Sequence, residues 1–131
     1  MRVFLTPQVQ KLAQHERIPN YVLCRAAREV VAEVLGSGEA DLGGGLFKKR
    51  LARSGGGKSG GYRAIIACRS PNAGRVLYAY AFAKAAASAL TPQGHGVLSK
   101  VAGSFFRTDD AGITALLAVG DITEVECDEE A

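Results

Sequence analysis

Residues 46–84 read LFKKRLARSGGGKSGGYRAIIACRSPNAGRVLYAYAFAK. Three stretches within them have strand character: Leu46 to Arg53, Tyr62 to Arg69 with its adjacent Ile65 and Ile66, and Arg75 to Lys84. In the last, Val76, Tyr78, Tyr80 and Phe82 alternate with Leu77, Ala79, Ala81 and Ala83. A Gly/Ser loop, Ser54 to Gly61, and a turn, Ser70 to Gly74, separate them. Connections this short join consecutive strands as antiparallel hairpins, since a parallel pair needs a long crossover.

Upstream, Arg2 to Leu5 reads as a first strand. Thr6 is placed to cap a helix that has Pro7 at its first position and runs to about Glu16. From Asn20 to Leu35, Leu23, Ala27, Val30 and Val34 recur at helical spacing, with Asn20 as cap and Gly36 as stop. Downstream, Thr91-Pro92 starts a helix with Val97, Leu98, Val101 and Phe105 on one face. Thr108 then caps another, with Asp109 and Asp110 in its first turn, and Gly120 ends it before an extended Ile122 to Val125. This order predicts an α+β domain over residues 1–131: two N-terminal helices, a small antiparallel sheet and C-terminal helices follow one another along the chain. One sheet face is covered and one is left open. The core is expected over about residues 1–90, and residues 91–131 form a helical, acidic extension.

The chain has 131 residues and is 47% hydrophobic, a globular composition and one domain's worth of length. No apolar run is long enough to cross a membrane. The N-terminal MRVFLTPQVQ lacks a long apolar run and a small-residue cleavage site, so no secretory signal is expected. Cys24, Cys68 and Cys127 are odd in number and far apart, without CxxC or histidine at ligand spacing. Neither a disulfide scaffold nor a zinc site is expected; a reducing, cytoplasmic setting is. No cofactor and no metal are expected.

Charge is sorted along the chain. Residues 1–41 hold five bases and five acids, residues 42–108 eleven bases and no acid, and residues 109–131 eight acids and no base. A stretch of 67 residues without a carboxylate points to a surface kept positive for a polyanion. The acidic end either stays in solvent or shields that surface.

The cations concentrate in KKRLARSGGGKSGGYR, residues 48–63. Gly57-Lys58-Ser59 resembles the end of a P-loop, but strand rather than helix follows it, Ala52 stands where glycine is wanted, and no acidic magnesium ligand lies in residues 42–108. A mobile hairpin loop carrying Lys58, with Arg53 flanking it, is the better interpretation. Lys48, Lys49, Arg50 and Arg63 on adjacent strands suit an RNA backbone. Tyr62 or Tyr80 offers a ring for an unpaired base, whereas Tyr78 is assigned to the core.

The run DLGGGLFKKRLARSGGGKSGGYRAIIACRS, continued by VLYAYAFAK, resembles the HigB-like branch of the RelE/ParE superfamily of bacterial type II toxins. The likeness is closest over residues 41–84; the upstream helices and the ending TDDAGITALLAVGDITEVE agree in layout. It implies a RelE-like fold and a toxin that cleaves mRNA, often on the ribosome, restrained by an antitoxin, here expected to be of the helix-turn-helix type. In such enzymes the 2′-hydroxyl attacks the adjacent phosphate. The reaction needs a base, positive charge around the phosphorane and an acid for the leaving oxygen. The resemblance places Arg63 as the phosphate clamp, the Lys48-Lys49-Arg50 strand as the source of base and phosphate contacts, and Lys84 in the catalytic set. A lysine base needs a lowered pKa, which neighbouring cations supply.

Strand alternation puts Lys48 and Arg50 on one face and Lys49 with Phe47 and Leu51 on the other. The chain departs from the family at Ala85-Ala86-Ala87, where polar or charged residues are usual, so the general acid has no evident source; His15 and His95 are poor substitutes. The alternatives are a catalytically weak or inactive protein that binds RNA or antitoxin and, within the superfamily, a gyrase poison.

Overall fold

A computed structural model describes residues 1–35, 41–51, 61–69, 74–83 and 91–127. The elements run β1 (Arg2–Leu5), α1 (Pro7–His15), α2 (Asn20–Leu35), β2 (Asp41–Gly43), β3 (Leu46–Leu51), β4 (Tyr62–Ala67), β5 (Arg75–Ala83), α3 (Pro92–Arg107), α4 (Asp110–Val119) and β6 (Thr123–Val125). All six strands form one sheet in the order β2-β3-β4-β5-β1-β6. The α+β class and the antiparallel β3-β4-β5 meander are as expected. The sheet is nevertheless mixed, because β1 lies parallel to β5.

Helix α1 follows β1 directly, with Pro7 at its first turn. It ends in a Schellman motif: the Arg17 N–H donates to the Gln14 carbonyl at 3.3 Å and the Ile18 N–H to the Ala13 carbonyl at 2.9 Å. Arg17 takes the left-handed conformation there, with φ 55°. In α2, Leu23, Ala27 and Val30 are buried as the spacing predicts. Together with Val3, Leu5, Val9, Phe47, Ala64, Ile66, Val76 and Tyr78 they form the core beneath α1 and α2.

The second face is not left open along its whole length. Phe4, Leu46, Ile65, Ala67 and Leu77 pack there against Ala102 and Phe105 of α3, Ile113 of α4 and Ile122. The strand sequences carried this signal: Ile65 and Ile66 point to opposite faces and both are fully buried, as in strands covered on two sides. Helix α3 buries Ala102 and Phe105 and leaves Val97 61% exposed, so its inward stripe is rotated from the one expected. Thr91 caps α3 by accepting from the Gly94 N–H at 2.9 Å. The cap of α4 is Asp109, which accepts from the Gly112 N–H at 2.8 Å. Thr108 instead closes α3 and donates to the Ser104 carbonyl.

Strand β5 is not regular. Ile66 stands opposite Tyr78, but Ile65 stands opposite Tyr80, so Ala79 is an extra residue, a β-bulge. Beyond it the alternation inverts. Val76, Tyr78 and Ala81 join the α1/α2 core, whereas Tyr80 and Phe82 lie on the other face, opposite Ile65 and Arg63. The single alternating set of Val76, Tyr78, Tyr80 and Phe82 is therefore split between faces.

The cysteines also depart from expectation. Cys24 of α2 and Cys127, just after β6, form a disulfide although 103 residues separate them in sequence. Spacing along the chain says nothing about proximity once β6 has joined the sheet beneath α2. Cys68 is the free thiol, buried, with its pKa pushed up to about 11 by that burial. A disulfide runs against the expectation of a reducing setting, where such bonds rarely persist. Among the described residues no helix is long and apolar enough to cross a membrane.

Closing so long a loop restricts the unfolded chain, so Cys127→Ser should lower the unfolding free energy by about 2–5 kcal/mol. Urea titrations with and without reductant check this: equal midpoints for the wild type in both would mean that the bond does not form. Gly45 has φ +82° and a Cβ built on it meets the Phe106 ring at 2.7 Å. Gly45→Ala should cost about 1–3 kcal/mol through left-handed strain and overpacking, measurable by the same titration.

Candidate nucleic-acid interface

Helices α3 and α4 cover only part of the second sheet face. The strand ends beyond them carry Lys48 and Arg50 of β3, Arg63 of β4, and Tyr80 and Phe82 of β5. Cross-strand register sets this grouping: Lys48 is opposite Ile65, Arg50 opposite Arg63, and Arg63 in turn opposite Phe82. Directly opposed residues share a face. Two arginines and a lysine are thus held together on neighbouring strands, where like charges repel. None of the three has an ion-pair partner among the described residues.

Arg63 is half-buried, and its Nη1 is fully buried without a hydrogen-bond acceptor. An unpaired buried guanidinium N–H forfeits about 1–3 kcal/mol or more. Such groups are rare in native proteins, and each calls for an explanation, such as strain, a catalytic role, or an ion or ordered water as its partner. Lys48 and Arg50 are exposed, and Tyr80 is 37% exposed, with its ring centroid 5.9 Å from that of Phe82. The patch offers two exposed cations, one half-sunk guanidinium and two aromatic rings.

Not every sequence-derived candidate lies here. Lys49 is on the α1/α2 face, where its Nζ pairs with Glu29 Oε1 at 2.9 Å. Tyr62 is 4% exposed and donates its hydroxyl to Glu16 Oε1 at 2.6 Å. A ring so placed has no face for a base. These two contacts hold β3 and β4 from behind, at the residues adjacent to Lys48, Arg50 and Arg63. Arg53, Lys58, Lys84 and the Ala85-Ala86-Ala87 run lie outside the described residues. His15 is exposed beside Glu16, and the His95 ring bonds the Leu42 carbonyl at 3.1 Å, tying α3 to β2. Phe82 escaped selection because its place beside Arg63 depends on the bulge, which has no sequence signature here.

The acidic C-terminal segment does return to the sheet, but to its other end. Arg2 makes a bidentate pair with Glu124, both bonds 2.9 Å, and holds that carboxyl below the usual range. Arg75 donates to Asp110 at 2.6 Å and also to the Thr108 carbonyl. Glu124 and Asp110 thus neutralise the arginines where β1 and β5 begin, and among the described residues no acid pairs with Lys48, Arg50 or Arg63 at the opposite strand ends.

No curated protein matches the sequence. The family model described as RelE toxin of the RelE/RelB toxin–antitoxin system matches residues 1–125. With a mixed sheet flanked by helices and a match across nearly the whole chain, this protein belongs to the RelE toxin family, the toxin component of a toxin–antitoxin pair, and an antitoxin is its implied partner.

Proposed function

We propose that this toxin is an mRNA endoribonuclease of the HigB-like kind, acting on translating ribosomes, and that the open end of the second sheet face is where RNA binds. The observation that carries the proposal is the buried, unpartnered Arg63 Nη1 set between Arg50 and Phe82. A phosphate oxygen is the acceptor that this group lacks, and a guanidinium matches phosphate in charge and geometry. Arg63 grips the scissile phosphate and stabilises the charge that grows on it as the 2′-oxygen attacks. The P–O2′ bond forms as the P–O5′ bond breaks. The 2′-hydroxyl proton passes to Lys48, the strand lysine nearest the clamp on that face, with Arg50 beside it. The leaving 5′-oxygen takes a proton from Lys84, or from another cation of the hairpin. Arg53 and Lys58 extend the phosphate track, and Tyr80 meets a base.

An mRNA substrate places the action in the cytoplasm. The antitoxin, proposed to be a helix-turn-helix protein, silences the toxin by covering the cationic patch. The alanine run at residues 85–87 favours one competing interpretation, a toxin fold that binds RNA or antitoxin without cutting.

In-vitro translation with primer extension separates these. The wild type should produce discrete mRNA ends that require ribosomes, and Arg63→Ala should lose at least about 10²-fold in cleavage. Cuts on free RNA would remove the ribosome from the mechanism; binding without cuts would favour the inactive form. Arg63→Met should leave stability equal or slightly raised, because it removes a buried unsatisfied donor and a like-charge neighbour of Arg50; a large fall in Tm would instead make Arg63 structural. Single-stranded RNA binding should weaken with salt, and Arg50→Ala should reduce the log–log slope by about 0.7, one phosphate's worth.

A further inference from the structure

The bulge at Ala79 is supported by contacts of its own. Thr6 donates its N–H to the Tyr78 carbonyl and its hydroxyl to the Ala79 carbonyl, both at 3.2 Å. Gln8 then makes two bonds to Ala81: Nε2 donates to the carbonyl at 2.7 Å, and Oε1 accepts from the N–H at 3.0 Å. Pairing with β1 ends where Leu5 stands opposite Tyr78. Beyond that point the Gln8 amide takes the place of a neighbouring strand. Buried main-chain groups left unpaired are costly, so these bonds favour the bulged register over a regular one.

The consequence is local and directional. With Ala79 bulged out of register, Ala81 enters the core, while Tyr80 and Phe82 turn to the face that holds Arg63. Their rings lie 5.9 Å apart with planes inclined at 41°. Tyr80 keeps a third of its surface in solvent although the same strand buries Tyr78 completely. Phe82 stands opposite the guanidinium whose Nη1 has no partner. An aromatic pair next to a free cation fits one nucleotide of a single strand: the phosphate on Arg63 and the base against the rings. A duplex offers no splayed base to such a surface.

We propose that Tyr80 and Phe82 form a stacking platform for one unpaired nucleobase beside the phosphate clamp, and that Gln8 is the positioning residue that aims it by pinning the bulge. This rests on the RNA interface proposed above. Gln8 touches no RNA; it acts through the strand.

Binding of a short single-stranded RNA carrying 2-aminopurine, compared with binding of inorganic polyphosphate, provides the test. Tyr80→Leu and Phe82→Leu keep apolar volume and remove the rings. Each should lose about tenfold in RNA affinity, together with the quenching of 2-aminopurine, and change polyphosphate affinity by less than about twofold. Gln8→Met keeps length but removes both hydrogen bonds. It should lose the same base-dependent affinity, together with the nuclear Overhauser contact between the Tyr80 ring and Ile65. Wild-type RNA affinity in both leucine variants would overturn the platform. A Gln8→Met variant that keeps the Tyr80–Ile65 contact and full RNA affinity would overturn the role of Gln8. Failure of the RNA interface itself looks different: the wild type would bind RNA no better than polyphosphate and leave 2-aminopurine unquenched.

Discussion

One extra residue in strand β5 governs the face that carries Lys48, Arg50 and Arg63. A strand alternates with period two, so a single inserted residue exchanges the faces of everything beyond it. Before Ala79, β5 sends Tyr78 into the α1/α2 core, where its hydroxyl donates to the Leu23 carbonyl at 2.7 Å. After it, Tyr80 and Phe82 emerge beside Arg63. Had the register run on regularly, two aromatic rings would have been driven under α1 and two alanines would have faced the cations. The bulge lets one strand complete a core at its first half and furnish a surface at its second.

The cationic cluster is held from behind by carboxylates it does not touch. Glu29 of α2 holds Lys49, which lies between Lys48 and Arg50, and Glu16 at the end of α1 holds Tyr62, which precedes Arg63. Adjacent strand residues point to opposite faces, so each rear contact fixes the backbone from which a front cation projects. Like charges can remain close because their strands are secured by the sheet ladder and the rear face. Glu124 and Asp110 are spent elsewhere, on Arg2 and Arg75. Local positive potential therefore exceeds what a formal net charge of +3 suggests.

The C-terminal segment closes the fold. Helix α3 lays Phe105 edge-on against Phe4 of β1, with centroids 5.9 Å apart, and β6 extends the sheet past β1. The Cys24–Cys127 bond joins α2 to the residue that follows that edge strand. Acidic charge, apolar cover and covalent closure thus coincide at the end of the sheet remote from the cations.

Much of this was legible residue by residue. The element order apart from the short β2, the antiparallel meander, the buried stripe of α2, the Thr91 cap and the common face of Lys48 and Arg50 all follow from local periodicity and side-chain chemistry, which act within a few residues. The GKSGGYR stretch pointed to the family for the same reason, being a contiguous pattern. The rotated stripe of α3 was harder to see, because Val97 and Leu98 are equally apolar and only the partner surface selects between them. The cover over the second face, the parallel place of β1, the pairing of Cys24 with Cys127 and the inverted half of β5 depend on groups far apart in the chain. The bulge in particular is set by Thr6 and Gln8, over seventy positions from the carbonyls they satisfy. Periodicity along the chain describes one strand at a time; the face on which Tyr80 and Phe82 emerge was settled by hydrogen bonds that exist only after α1 has packed against β5.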